Sequence, residues 1–389
     1  MPDQKPTVCH SFPVWLPQTQ TWMYNQIAEL QNLGVDAHVV CERTENLNQF
    51  EVANIHSLSH EPRWRQLWDK GLRKTRLRRH LAHLVRVGRD VKANIVHSHF
   101  GNVGWADLGA VRRLGAGHVV TFYGIDVNKL PIQVPKWRGR YQTLFSAADL
   151  FLCEGSHMAR CLVDLGCSPD KVRVQHLGVD VDNLEFSPRQ WHAGDTLRIL
   201  IAASFREKKG IPLALEALAR LRENVKIDLT IIGDAGQDAE SIDEKARILE
   251  TLDRTGLRPV TRLLGYQSHK RMLEEAYGHH LFLHPSVTAK DGDTEGGAPV
   301  SIIEMLATGM PVVSTRHCDI PEVVGPSLTH LLAPERDISA LVECMKTLVN
   351  APEQWMTWAK EGRKHVESEY HKTTQAKRLM AHYQALVMS

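Results

Sequence analysis

Apolar and polar positions along the chain follow two periods in alternation. Short apolar or β-branched runs predict strands at residues 7–10, 36–41, 94–100, 118–122 and 148–153, with helically spaced stretches between them. The clearest such stretch is 20–34, where Trp22, Ile27, Leu30 and Leu33 form one stripe and Gly34 suits the stop. Residues 11–17, with Pro13 and Pro17, predict a proline-broken loop. Strand, helix, strand is the unit of a doubly wound sheet, so this half of the chain predicts one α/β domain.

The period is lost across 178–196, a stretch rich in turn residues. The alternation then restarts, with strands at 197–203, 226–233, 260–264 and 281–285 and helices at 212–222, 239–255 and 270–277. From residue 337 the pattern is helical to the end. A last helix, 373–387, carries Ala376, Leu379, Tyr383 and Leu386 on one face, which suits packing back across the domain boundary. The domains expected are 1–185, 186–370 and a returning helix, 371–389. Two α/β domains imply a cleft, and ligands of open parallel sheets sit beyond the carboxyl ends of strands.

One stretch concentrates the chemistry. Residues 294–315 read as loop, helix, strand: Gly296 and Gly297 open the turn, Pro299 suits the first helical position, and Gly309 suits the stop. Such a junction aims free N–H groups and a positive dipole end at a ligand, with Ala298, Val300 and Ser301 as the donors. The helix is apolar nearly all round, so Glu304 is a buried carboxylate in need of a partner. An Arg or Lys of the protein suits, and so do the hydroxyls of a ligand.

Composition narrows the class without choosing a function. The 389 residues, 43% hydrophobic and 24% charged, describe an ordinary globular protein. The net charge of +2 hides an asymmetry, because 63–89 holds ten Lys or Arg against one acid, Asp69, leaving the remainder acidic by 7. Leu77, Leu81 and Leu84 fall at helical spacing within this segment, among its cations and two tryptophans. That pattern suits either a helix on an anionic membrane surface or an ordinary amphipathic helix with solvated arginines. No nucleic-acid-binding motif accompanies the charge. Seven cysteines form no C-x-x-C pair and suit a reducing compartment, and the start of the sequence shows no signal-peptide core. A cytoplasmic protein, peripheral to the inner face of the membrane if the basic segment binds it, is expected.

Candidate groups gather at strand ends. His97 and His99 share one strand face near the expected cleft, as satisfied buried imidazoles or as a base or sugar ligand, and no third metal ligand stands at a usual spacing. Tyr123 and Asp126 lie in the next strand-end turn, where Asp126 suits capping the following helix or holding a sugar. Arg206, Lys208 and Lys209 follow the first strand of the second domain, and cations converging on free amides suit a diphosphate. Lys208 reads as solvated, and Asp291-Gly-Asp293 reads as a solvated acidic loop and not as a metal site.

Taken together, the segments Ile95-Val-His-Ser-His-Phe-Gly101, Thr121-Phe-Tyr-Gly-Ile-Asp126, Glu207-Lys-Lys-Gly210, Ile231-Ile-Gly-Asp234, Leu264-Gly-Tyr266 and 294–315 resemble the retaining GT-B glycosyltransferases of family 4 (group 1). The likeness is to the exopolysaccharide and lipopolysaccharide type and covers nearly the whole chain. It implies two Rossmann-like domains facing a cleft, with a nucleoside-diphosphate sugar (UDP or GDP) as donor and a lipid-linked or polysaccharide glycan as acceptor. The N-terminal domain would bind the acceptor, and neither metal nor cofactor would take part. By resemblance Glu295 meets the donor sugar and Glu304 the ribose, Arg206, Lys209 and the amides after Gly296 meet the diphosphate, and Gly265 and Tyr266 line the donor site. His99, Tyr123 and Asp126 would serve at the reacting sugar.

Three positions depart from the family pattern. Eight residues, not seven, separate Glu295 from Glu304, Ala203-Ser204 replace a common Gly-Arg, and Tyr123 replaces a common His. A silent glycan-binding module, a sugar-nucleotide epimerase and a phosphorylase are the other readings the motifs allow.

Overall fold

The computed structural model describes residues 5–17, 20–297 and 299–388. They form two compact units, Met1–Val179 with His371–Ser389, and Asp180–Tyr370. From sequence the division was expected between residues 185 and 186.

The first unit is a parallel sheet of seven strands: β1 (Thr7–Trp15), β2 (Asp36–Thr44), β3 (Ile55–Ser57), β4 (Ile95–His99), β5 (Gly117–Thr121), β6 (Leu150–Cys153) and β7 (Val172–Val174). Their spatial order is β3-β2-β1-β4-β5-β6-β7. Helices α1 (Thr21–Asn32), α2 (Arg63–Lys74), α3 (Ala82–Asp90) and α4 (Gly101–Leu114) supply the early connections. The period of two divides the central strands between two cores. Val8, Ile95 and Val119 face Leu30 of α1 and Ala376, Leu379 and Tyr383 of the last helix, Lys372–Met388. Cys9 and Val96 face Leu84 of α3 and Ala110 of α4. The final helix therefore belongs to the first unit, as its apolar face predicted.

The second unit repeats the plan with six parallel strands: β8 (Leu197–Ala202), β9 (Ile227–Ile232), β10 (Thr261–Leu263), β11 (Leu281–His284), β12 (Val312–Thr315) and β13 (Leu332–Ala333), in the order β10-β9-β8-β11-β12-β13. Both sheets reverse direction of growth at one place, between β1 and β4 and between β8 and β11. In doubly wound sheets that switch point is where ligands bind.

Three expectations are corrected. Residues 11–15 continue β1 instead of looping, because past Ser11 only β2 flanks the strand and an edge tolerates Pro13. Strands β3, β7 and β13, of two or three residues each, were not expected. The basic segment is two helices, broken where Thr75 caps α2 and Arg76 turns left-handed at φ +61°. Leu81 and Leu84 are consequently buried, while Leu77 in the break is 78% exposed. No helix among the described residues is long and apolar enough to cross a membrane.

Candidate functional site

The switch point of the second unit brings two loops together. After β8 the chain makes a tight turn through Glu207–Lys209 to Gly210, whose φ is +63°. A Cβ at Gly210 would lie 2.0 Å from the Pro285 carbonyl oxygen, so only glycine lets this turn rest against the loop after β11. That approach sets Lys209 Nζ 2.7 Å from Glu295 Oε2. The other oxygen of Glu295 accepts from Ser286 Oγ at 2.6 Å and lies 3.2 Å from His284 Nε2. The Glu295 side chain is only 5% exposed. Burial by itself would raise its carboxyl, but the Lys209 charge, the His284 contact and nearby Lys208 together hold it well below the usual carboxylate range. The eighth intervening residue is absorbed in a turn at Gly296, with φ +78°, whose N–H donates to Thr294 Oγ1 while the Gly297 N–H returns to the Glu295 carbonyl.

Beyond this turn the helix Val300–Thr308 begins, with Pro299 as its cap and not its first residue. Pro299 carbonyl takes the Ile302 N–H, so the amides of Val300 and Ser301 precede the helical ladder. Ala298 lies outside the described residues. One turn in, buried Glu304 meets His269 Nε2 at 2.7 Å, from the helix His269–Tyr277. This contact, ahead of burial, sets the His269 imidazole above its ordinary pKa. Among the described residues the ion-pair partner of Glu304 is this histidine, not an Arg or a Lys.

Arg206 does not converge with Lys209. Its guanidinium pairs at 2.9 Å with Asp238, the cap of the helix Ala239–Arg254. Gly265, at φ +65°, accepts the Gly233 N–H, and Tyr266 next to it is 55% exposed. Two readings of solvated groups are corrected. Asp293 is buried, and Lys208 Nζ lies 3.1 Å from it while donating to the Thr294 carbonyl, so this acid and this cation brace the loop that carries Glu295.

The switch point of the first unit has a different character. His10, His97 and His99 stack within its buried interior, all 0% exposed. His97 is hydrogen-bonded to Tyr383 Oη and Thr121 Oγ1, both at 2.6 Å. His99 is hydrogen-bonded to Tyr123 Oη at 2.6 Å and His10 at 3.1 Å, and it lies flat on Phe12. Burial, then the neighbouring imidazoles, lowers the pKa of both residues well below the ordinary value, so both are neutral. His99 is thus not at a rim. It supports half-buried Tyr123, whose phenol burial raises well above its usual range. The register of β1 on β4 supplies His10 as a third imidazole, which local spacing could not show. Holding an ion there would require the tyrosine and threonine bonds to break.

Asp126 caps, but at the start of α4 and not the following helix. Its oxygens accept from the Gly101 N–H at 2.7 Å and the Tyr123 N–H at 3.0 Å. Burial raises its carboxyl to about 6 in spite of these amides.

Comparison with known proteins covers both units. The description "Glycosyltransferase Family 4" matches residues 19–183, and "Glycosyl transferases group 1" matches 183–365. The putative colanic acid biosynthesis glycosyltransferase WcaL of Escherichia coli is 28% identical over 95% of this chain and 97% of its own length. The amylovoran biosynthesis glycosyltransferase AmsK of Erwinia amylovora is 27% identical over 92% and 94%. Among solved structures, sucrose-phosphate synthase from Thermosynechococcus elongatus has a TM-score of 0.76 at 16% identity, covering 99% of this chain and 100% of that one. Anabaena Alr3699/HepE in complex with UDP also scores 0.76, at 14% identity and covering 98% and 100%. At such identities the structural likeness speaks for the fold.

Proposed function

We propose, for a chain that belongs to the group 1, family 4 glycosyltransferases, the transfer of a hexose from a nucleoside-diphosphate sugar to a hydroxyl of an exopolysaccharide or lipopolysaccharide glycan. The observation that carries this reading is the Lys209–Glu295 pair in the loops after β8 and β11, directly before a helix whose leading amides precede the helical ladder. Departure of the nucleoside diphosphate leaves an oxocarbenium-like sugar, and the charge that grows on the diphosphate is what a protein can stabilise. Lys209 and the amides of Val300 and Ser301 supply that stabilisation in this reading, without a metal ion. Arg206 joins them on exchanging Asp238 for phosphate. Glu295 receives the donor sugar, Glu304 holds the ribose hydroxyls, and His269 keeps the Glu304 carboxylate in place. Exposed Tyr266 covers the donor.

The transfer retains configuration. The acceptor attacks from the face the diphosphate leaves, and a phosphate oxygen takes its proton. A same-face reaction asks for no strong base, which agrees with His99 and Asp126 being committed to internal hydrogen bonds. The first unit binds the acceptor, a glycan on a lipid carrier, at the inner face of the cell membrane. The test is nucleotide release with an acceptor present: Lys209→Ala and Glu304→Ala each lower it strongly while the fold survives. Wild-type release from both variants would refute the site. Release without any acceptor requirement would favour an epimerase, and dependence on phosphate a phosphorylase.

A further inference from the structure

The helix α2 is mounted with its polarity reversed. A surface helix ordinarily turns its apolar stripe to the core and its charges to water. Here Arg65, Asp69 and Arg73 turn inward, while Arg63, Lys70 and Lys74 stay exposed. Asp69, 2% exposed, accepts the Ala82 N–H that opens α3 and pairs with Arg73 Nε at 2.9 Å. Arg73 reaches on to Glu42, and Arg65 and Arg86 both close on Glu61 at 2.7 Å. With the helix fastened by these pairs, Trp64, Leu67 and Trp68 share the outer face at i, i+3 and i+4, exposed by 64%, 69% and 64%. Leu77 stands beyond them in the break.

We propose that this face docks on an anionic bilayer surface. Charge complementarity selects that occupant. Arg63, Lys70, Lys74 and Arg76 are exposed around the tryptophans, and no ion pair joins them among the described residues. Beside them an open hollow is lined by Arg78, Arg89 and Arg113 with the acid Asp90 and with Arg86, which Glu61 already pairs, a setting that suits lipid phosphates. Tryptophans rest at the headgroup level, where an apolar ring and a polar N–H are both satisfied. A second copy meeting this face by two-fold symmetry would bring like cations together. The docking surface extends the lipid-linked acceptor reading, and binding is measured without donor or acceptor, so the two fail separately.

The experiment is co-sedimentation of the full chain with vesicles of phosphatidylcholine and phosphatidylglycerol, beside vesicles of phosphatidylcholine alone. The anionic vesicles are expected to bind the chain at low salt and release it at high salt. Replacing Trp64, Leu67 and Trp68 together by serine weakens binding by about tenfold or more and removes a blue shift of tryptophan emission, with the circular dichroism spectrum unchanged. Replacing Lys70 and Lys74 by glutamate, which removes charge and leaves the rings, weakens binding to the anionic vesicles alone. Absence of binding at low salt would overturn the proposal, as would undiminished binding by the serine variant. So would a concentration-dependent wild-type dimer that the serine variant abolishes, because the occupant would then be a second copy.

Discussion

The two units share a sheet order and a switch point, yet they fill that point with opposite chemistry. In the second unit the strand-end loops set Lys209 against Glu295, whose carboxyl is held well below its usual range. In the first, the same place holds neutral imidazoles bonded to one another and to tyrosines, and Asp126 is spent on backbone amides. The scaffold fixes where a ligand meets the sheet, and the loops decide whether it meets charge. A diphosphate donor needs fixed charge, whereas a sugar hydroxyl needs only hydrogen bonds and shape.

The sharpest way to break this contrast is at Lys209. Removal of one preorganised group facing the leaving charge costs about 10²–10³-fold in turnover, so Lys209→Ala is expected to fall in that range with the fold retained. Steady-state nucleotide release checks it, and a loss below about tenfold would put the charge elsewhere. In the first unit Tyr383→Phe takes a hydroxyl from buried His97. An unpaired buried nitrogen costs about 1–3 kcal/mol, read by denaturant unfolding, while turnover stays at the wild-type level. A turnover loss there would mean the imidazole stack serves the reaction.

A smaller effect lies in pH. The carboxyl of Glu295 is held below its unfolded value, so its stabilisation is present above about pH 4.3 and lost as pH falls through the folded value. Asp126 is raised by burial to about 6, so ionising it between about pH 4 and pH 6 costs stability. Melting temperatures of Glu295→Gln and Asp126→Asn are therefore expected to approach wild type from opposite ends. The first gap closes towards acid, and the second narrows as pH rises. Slopes of one sign for both would remove the contrast.

Sequence pattern carried most of the fold, because strands of four or more buried residues announce themselves as apolar runs between helical stripes. It lost β3, β7 and β13, of two or three residues each, and it lost the break at Arg76, where no glycine or proline marks the turn. At the site the residues were legible but their partners were not. Glu304 could be read as a buried acid, yet His269 lies 35 residues away and reaches it only through tertiary packing. Asp293 looked like a solvated loop acid because its cation, Lys208, comes from the turn after another strand. His10 joined the imidazoles through strand register, a relation no local spacing contains.

The central claim is that the charged switch point of the second unit holds a nucleoside-diphosphate sugar. Thermal-shift measurements on the full chain against a panel of UDP- and GDP-sugars test it most directly. At least one nucleotide is expected to raise the wild-type melting temperature, with the shift lost in Glu304→Ala and in Lys209→Ala. A panel without any shift, or a shift that both variants keep in full, would contradict it.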